Sequence, residues 1–324
     1  MSARVLLTDA DRFPLGAADR ELLAAHGATL LEVPGHDPAQ VAAAGRDAAA
    51  LLVYHLVVTA ELLNGLPACR VVARCGAGYD NIDVEAALAR GVTVTYVSDY
   101  AVDEVADHAL ALLLAVARRV VASHQALAEG RWPSYAELGR MHRLRGRTLA
   151  LVGFGRTARA LAARAAALGM QPAAYDPGVP DAAIALAGAE PLAFDALLER
   201  ADCLSVHVPL TPATTGLLGE PELARMPAGS ILVNISRGGI VAEDALAAAL
   251  RDGHLAGAGL DVFTDEPPAA TNPLLRHPAV VATPHSAAFS EEALADVRRT
   301  ALEDVLRVLA GAAPRHPVPQ GATA

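Results

Sequence analysis

Lysine is missing from this chain: all 26 basic residues are arginine. That excludes a Schiff-base lysine, and with it a pyridoxal enzyme, and it excludes a phosphate-binding Walker A lysine. Positive charge is also in deficit, since the formal net charge is −10, the wrong sign for holding a polyanion by counterion release. No nucleic-acid partner is expected. Cysteine is scarce: Cys69, Cys75 and Cys203 neither pair off fully nor show metal-ligand spacing, so no disulfide framework and no metal are expected. Long apolar runs are lacking too. The longest, Ala109–Ala117, is about half of a membrane span and runs into Arg118-Arg119. The first residues, Met1–Asp9, contain no apolar leader core, which gives a cytoplasmic expectation and no membrane partner.

What is present is apolar material, 53% of 324 residues against 19% charged. That is enough for two large cores and too apolar for disorder. Short β-branched runs alternate with helical patterns throughout, which is the pattern of an α/β protein with parallel sheets. The first series of strands is expected at 4–8, 29–33, 50–53, 71–74 and 93–97, with helices such as 18–26 and 59–63 between them. A long helix is expected from Val102 to about Gly130, with Asp103, Glu104 and Asp107 in its first turns, where acids complement the helix dipole. A second series follows at 148–152, 171–175, 203–206, 231–234, 257–260 and 280–283. Helices are expected at 156–168, 243–252 and 290–309, and the tail from Gly311 is expected to fray.

The segment Leu149-Ala-Leu-Val-Gly153-Phe-Gly155-Arg-Thr-Ala158 reads as strand, glycine turn and helix start. Gly153 permits the tight turn, Gly155 lets backbone approach a pyrophosphate, and Ala158 is small enough for close packing of helix on strand. The helix start then offers free N–H groups to phosphate. Alone, such a loop is weak evidence and also reads as a simple structural turn. Asp176 strengthens the nucleotide reading, because it closes the next strand about 20 residues on, where a carboxylate meets a ribose 2′-hydroxyl. A carboxylate there repels a 2′-phosphate, and no arginine follows in Tyr175-Asp-Pro-Gly-Val-Pro. NAD(H) is therefore expected over NADP(H).

Three further motifs fall at expected strand ends: Asn234-Ile-Ser-Arg237-Gly-Gly, Asp261-Val-Phe-Thr-Asp-Glu266-Pro and Thr283-Pro-His285. Singly, Arg237 also reads as a surface salt-bridge partner, Glu266 as a loop acid and His285 as a helix-entry residue. Together, behind a dinucleotide loop, they make an anion-binding arginine and a histidine with a carboxylate to orient it. Hydride transfer to a 2-oxo acid needs such a set, a clamp for the carboxylate and a proton donor for the carbonyl oxygen.

With these motifs, and with Arg74-Cys-Gly76-Ala-Gly78-Tyr-Asp80-Asn-Ile-Asp83 in the first half, the chain resembles the D-isomer-specific 2-hydroxyacid dehydrogenases over nearly its whole length. Segments Leu52-Val-Tyr54-His55, Gly76–Asp83 and Ser286-Ala-Ala-Phe-Ser-Glu291 are most similar to the C-terminal-binding protein branch, the NADH-binding corepressors. The resemblance implies two Rossmann-like or flavodoxin-like domains: a substrate domain of residues 1–99 and 286–324, with an NAD-binding domain of 100–285 inserted. It implies a homodimer through the helix after 101 and the arm containing Trp132, and closure of a cleft that excludes water.

The resemblance also implies roles. Arg237 would hold the carboxylate and carbonyl of a small 2-oxo or 2-hydroxy acid. His285 would exchange a proton with the 2-oxygen, and Glu266 would orient it. Arg74 and Gly76, with the N–H groups of Ala77 and Gly78, would cup the substrate carboxylate, and Tyr54 and His55 would face the substrate, His55 reading equally as a hydrogen-bonded strand-end histidine. Arg156 and Thr157 would face the pyrophosphate, and Asp261 the nicotinamide carboxamide. His207, Val208, Pro209 and Thr214 would border the adenosine and ribose, and Ile235, Ser236 and His285 would complete the cofactor side.

Some positions depart from the pattern. The corepressors carry a tryptophan just after the histidine, where this chain has Ala288, so substrate preference does not carry over. Glu266 argues against the formate dehydrogenases, which have an amide there. Phosphite-oxidising relatives need a lysine that is absent. Cys75 reads either as a small buried filler or as a redox-sensitive thiol. The function expected is NAD(H)-dependent interconversion of a small 2-oxo acid and its D-2-hydroxy acid. The alternative is a dimeric NADH-sensing module with weak or vestigial catalysis.

Overall fold

The computed structural model describes residues 3–319. Contacts divide the described residues into two compact units, 3–100 with 290–319 and 101–289. Residues 286–289, assigned from sequence to the first unit, lie in the second. The backbone N–H groups of Ser286 and Ala287 are tied there to the carboxylate of Asp261.

The first unit is a five-stranded parallel sheet of β1 (Ala3–Leu7), β2 (Ala28–Glu32), β3 (Ala50–Val53), β4 (Val71–Arg74) and β5 (Thr93–Tyr96), in the order β2-β1-β3-β4-β5. Residues of β3 are all buried, as expected of a strand covered on both faces, which needs a continuous apolar run rather than alternation. The helix Glu291–Leu309 buries Ala293, Val297, Ala301, Leu302, Val305 and Val308 on one stripe, and Ser290 caps it by accepting from the Ala293 N–H at 2.9 Å.

The tail does not fray over 312–318. Buried Asp304 accepts hydrogen bonds from the backbone N–H groups of Arg315 and His316, at 2.6 and 3.0 Å. The chain then pairs with β5, where the Val318 N–H donates to Val94 O and Thr95 bridges Pro317. A composition rich in proline and glycine gave no sign of this, because the partners lie far away in sequence.

In the second unit β6 (Thr148–Val152), β7 (Gln171–Tyr175), β8 (Glu190–Pro191), β9 (Cys203–Val206), β10 (Ser230–Asn234), β11 (Leu255–Leu260) and β12 (Val280–Ala282) form a parallel sheet. Its order is β12-β11-β10-β9-β6-β7-β8. The order reverses between β6 and β9, and ligands of open α/β sheets bind outside the carboxyl ends of the strands at such a point. The helix Arg156–Ala167 packs Ala158, Leu161, Ala162 and Ala165 inward at helical spacing.

The long helix expected from residue 102 is two helices, Val102–Ala117 and Val120–Ala128, broken where Arg119 takes a left-handed conformation with φ 54°. The buried stripe of the first helix ends at Val116 and Ala117, and the arginine pair that follows has no apolar surface to lay on the sheet. Both units are Rossmann-like α/β folds. Among the described residues no helix is long and apolar enough to cross a membrane.

Candidate active site

The nucleotide loop sits at the switch point of the second sheet. Gly153 has φ 91°, and a Cβ there would fall 2.7 Å from the carbonyl oxygen of His207, so the turn after β6 and the end of β9 close up only around glycine. A Cβ at Gly155 would meet nothing within 4 Å, leaving open space over the start of the 156–167 helix. There the N–H groups of Thr157 and Ala158 find no acceptor among the described residues. Free first-turn amides beside an open backbone fit a pyrophosphate.

Asp176, at the end of β7, turns toward this loop. It accepts from the Phe154 and Gly178 N–H groups, each at 2.8 Å, and stays partly exposed. His207 lies between Ser205 Oγ, 2.9 Å from Nε2, and Thr157 Oγ1, 3.3 Å from Nδ1. Burial pushes its pKa down to about 3, so the ring is neutral. Thr214 is occupied within its own loop, donating to Pro209 O at 2.6 Å, and the Ser236 hydroxyl donates to Val208 O. Ile235 is buried.

Arg237 stands on a turn made by Asn234. The buried Asn234 side chain accepts from the Ser236 N–H at 3.1 Å and donates to the Arg237 carbonyl at 2.9 Å. Gly238 then allows the loop after β11 to lie directly on this turn, because a Cβ there would fall 1.9 Å from Phe263 O. That contact brings Glu266 near Arg237. Glu266 Oε1 accepts from the Phe263 N–H at 3.0 Å, and Oε2 lies 2.6 Å from Nδ1 of His285. Burial alone would raise the Glu266 pKa. The hydrogen bond and charge of His285, the Phe263 N–H and the Arg237 guanidinium outweigh it and hold the carboxyl below its ordinary value. Glu266 is therefore ionised and accepts, and Nδ1 of His285 carries the proton of this hydrogen bond. His285 and Glu266 side chains are about one-third exposed, at 34% and 33%.

His285 has φ 51°, a left-handed conformation that costs a non-glycine residue about 1–2 kcal/mol. Three backbone hydrogen bonds from this segment go to Asp261. The His285 N–H donates to its carbonyl at 2.8 Å, and the Ser286 and Ala287 N–H groups donate to its carboxylate at 2.9 Å each. Asp261 has no exposed side-chain surface. Asp261, expected from sequence to face the nicotinamide carboxamide, stands at a strand end with its carboxylate turned inward, where it holds the histidine loop.

In the first unit, Arg74 ends β4 and folds its guanidinium onto Cys75 O. The loop after it is tied down by Val97 N–H donating to Gly76 O at 3.0 Å, and it exposes the N–H groups of Ala77 and Gly78, which have no acceptor among the described residues. Asn81 donates to Tyr54 O and Leu56 O, joining this loop to the one after β3.

Tyr54 does not face outward, as expected from sequence. It is buried and stacked on Phe13, with ring centroids 4.3 Å apart, beside Cys75. Its neighbour His55 is exposed, and its backbone N–H donates to buried Asp9. Alternation along an extended segment puts only one of the two outward. Burial pushes the Cys75 thiol up to about 12, which supports the filler reading over the reactive one. The sequence reading missed Asp9, which joins the loops after β1, β2 and β3 through Thr8, His36 and the His55 N–H. It also missed His108, and it quoted Thr283 in its motif without a role; both adjoin Asp261. An Asp-to-backbone tie has no sequence signature.

Comparison with known proteins gives one family model, "D-isomer specific 2-hydroxyacid dehydrogenase, NAD binding domain", matching residues 110–287. Among curated relatives, a D-3-phosphoglycerate dehydrogenase of Mycobacterium leprae is 44% identical over 280 residues, covering 86% of this chain and 52% of the relative. This chain spans about half the length of that enzyme. An (S)-sulfolactate dehydrogenase of Chromohalobacter salexigens is 40% identical over 92% of this chain and 96% of its own. The crystal structure of an Aquifex aeolicus D-lactate dehydrogenase complexed with NAD and lactic acid superposes with a TM-score of 0.84 at 26% identity, covering 95% of this chain and 96% of that one.

Proposed function

Because the chain belongs to the D-isomer-specific 2-hydroxyacid dehydrogenase family, we propose that it interconverts a small 2-oxo acid and its D-2-hydroxy acid with NAD(H). The observation that carries this reading is the ionised Glu266 paired at 2.6 Å with His285, with Arg237 close enough to act on the same carboxylate. NAD(H), when bound, supplies or accepts the hydride. Gly153, Gly155, Arg156 and Thr157 are the proposed pyrophosphate side and Asp176 the ribose side, with 207–214 and 235–236 bordering the nucleotide.

In reduction His285 gives its Nε2 proton to the developing 2-oxygen, and Glu266 stabilises the imidazolium before transfer. Arg237 neutralises the substrate carboxylate and polarises the carbonyl with its planar pair of N–H groups. In the first unit we assign carboxylate recognition to the Ala77 and Gly78 amides. Following NADH absorbance with purified protein across a panel of 2-oxo acids, with NADPH in parallel, tests the reading. Rapid oxidation of NADH with one acid supports it. Tight NADH binding with no turnover across the panel would replace it with the NADH-sensing alternative.

NAD(H) is proposed over NADP(H) because the Asp176 carboxylate is held at the β7 end by two backbone N–H groups and like charge repels a 2′-phosphate. Asp176→Ser is expected to raise the NADPH-to-NADH ratio of kcat/KM at least about 10-fold, since like-charge juxtaposition costs several kcal/mol and 1.4 kcal/mol is tenfold. An unchanged ratio removes Asp176 from cofactor choice.

We also propose that a second copy covers the apolar surface around residues 120–135. Trp132 is 89% exposed, and Val120, Leu127 and Tyr135 are each more than half exposed. Isolated exposed apolar residues are ordinary, but four on neighbouring segments call for a partner. Analytical ultracentrifugation should give twice the chain mass, and Trp132→Glu with Leu127→Glu should give the monomer. A wild-type monomer at all concentrations tested would refute this.

A further inference from the structure

Asp261 is the anchor of the histidine loop, and it is itself held from outside that loop. Thr283 Oγ1 lies 2.6 Å from Asp261 Oδ1 and 2.9 Å from Nε2 of His108, on the 102–117 helix, and His108 Nε2 is 3.5 Å from the same carboxylate oxygen. The direction of this chain follows from proton counting. The hydrogen bonds of His108, Thr283, Ser286 and Ala287 outweigh burial and keep Asp261 below its ordinary carboxylate range. It is thus ionised and only accepts. The single Thr283 proton therefore goes to Asp261, and His108 Nε2 must be the donor to Thr283.

We propose that His108 is a positioning residue for His285: through Thr283 and Asp261 its imidazole N–H fixes the left-handed turn that presents the acid–base ring to Glu266. Three observations on separate segments meet here. His285 is a non-glycine residue at φ 51°, a conformation that persists only when its surroundings over-determine it. The Asp261 carboxylate that restrains it has no exposed surface, so its orientation is decided by the groups around it. His108 comes from a helix whose inward face is otherwise Ala106, Ala109, Leu112, Leu113, Val116 and Ala117. The Nε2 of this polar side chain is directed at the Thr283 hydroxyl and, beyond it, the Asp261 carboxylate. Without the donor, Thr283 is free to rotate its proton away from Asp261, and the carboxylate can then turn. The backbone ties of Ser286 and Ala287 loosen with it.

The inference rests on the dehydrogenase reading for its kinetic readout and not for its spectroscopic one. In full-length protein, His108→Leu removes the donor at similar volume. His108→Gln keeps an N–H near the Nε2 position. Thr283→Val breaks the chain at its middle. His108→Leu and Thr283→Val are expected to lower kcat about 10- to 100-fold, the scale on which small misplacements of a reacting group act. The KM for NADH should not move, and the pH at which turnover falls should shift. His108→Gln should restore both to near wild type.

Proton NMR provides a test without turnover. The Nδ1–H of His285, in a short hydrogen bond to a carboxylate, should give a downfield resonance identified by its loss in His285→Asn. That resonance should broaden or disappear in His108→Leu and Thr283→Val and return in His108→Gln. If one of the two disrupting variants fails to fold, the other decides. Wild-type kcat, pH profile and resonance in a folded disrupting variant would overturn the proposal. So would equal losses in His108→Gln and His108→Leu, since packing rather than the N–H would then be responsible. If no 2-oxo acid is turned over by the wild type, the dehydrogenase reading fails, while the resonance still decides the role of His108.

Discussion

Replacing His285 with alanine is expected to lower turnover of the preferred 2-oxo acid by about 10²–10⁴-fold, the contribution of a positioned proton donor, with NADH binding by fluorescence titration unchanged. Glu266 holds Nδ1 of the imidazole at 2.6 Å; proton exchange with the substrate oxygen is assigned to Nε2, histidine being the side-chain type that exchanges a proton near neutral pH. Alanine also fits poorly at φ 51°, so a second variant is needed to separate chemistry from backbone. Asparagine tolerates the left-handed region. A loss shared by His285→Ala and His285→Asn therefore reports the imidazole and not the turn.

Glu266→Gln should leave the ring in place while removing the charge that favours the protonated form. Reduction needs that form, so the rate of reduction should fall while NADH binding is unchanged. Because Glu266 itself titrates below its ordinary value in the fold, the stability it contributes is complete above the ordinary glutamate range and is lost as pH falls below it. Wild-type rates in both His285 variants would remove the histidine from the mechanism.

Arg237→Lys is expected to cost about 10- to 100-fold in kcat/KM, the equivalent of one charged hydrogen bond at about 1.5–3 kcal/mol. Charge is conserved in this change, so Glu266 keeps a cation near it and the loop should fold as before. What is lost is the rigid fork, which can meet a carboxylate and a carbonyl oxygen together where an ammonium meets them as a point. The turn built by Asn234 holds the Arg237 backbone on both sides, which limits how far a lysine could shift to compensate. Steady-state rates across the substrate concentration range check this, and a KM and kcat equal to wild type would mean that Arg237 does not touch the substrate.

The strands were legible because a parallel sheet covered on both faces demands continuous apolar runs, as in Thr148–Val152 and Ser230–Asn234, each buried throughout. The site residues were legible as positions, because the glycine loop, Arg237, Glu266 and His285 all follow strand ends. Direction was not legible. Tyr54 and His55 are adjacent and only one of them is exposed, and Asp261 lies at the correct edge with its carboxylate turned inward. Periodicity specifies a face, whereas the inward turn of Asp261 depends on Thr283 and on amides 25 and 26 residues away. The break at Arg119 and the pairing of the tail with β5 likewise rest on contacts remote in sequence, and a local pattern carries no record of them.

Gly238 has a bearing on how this protein could change. With a single hydrogen where any other residue would drive a carbon into the Phe263 carbonyl, the arginine turn and the glutamate loop are shaped to each other like the halves of a mould. An insertion or a bulkier residue in one has to be matched by a displacement of the other, so the two loops must drift together or stay as they are. A directed-evolution campaign for a new acid would therefore treat residues 234–238 and 261–266 as one inherited block, and would draw its diversity from outside it.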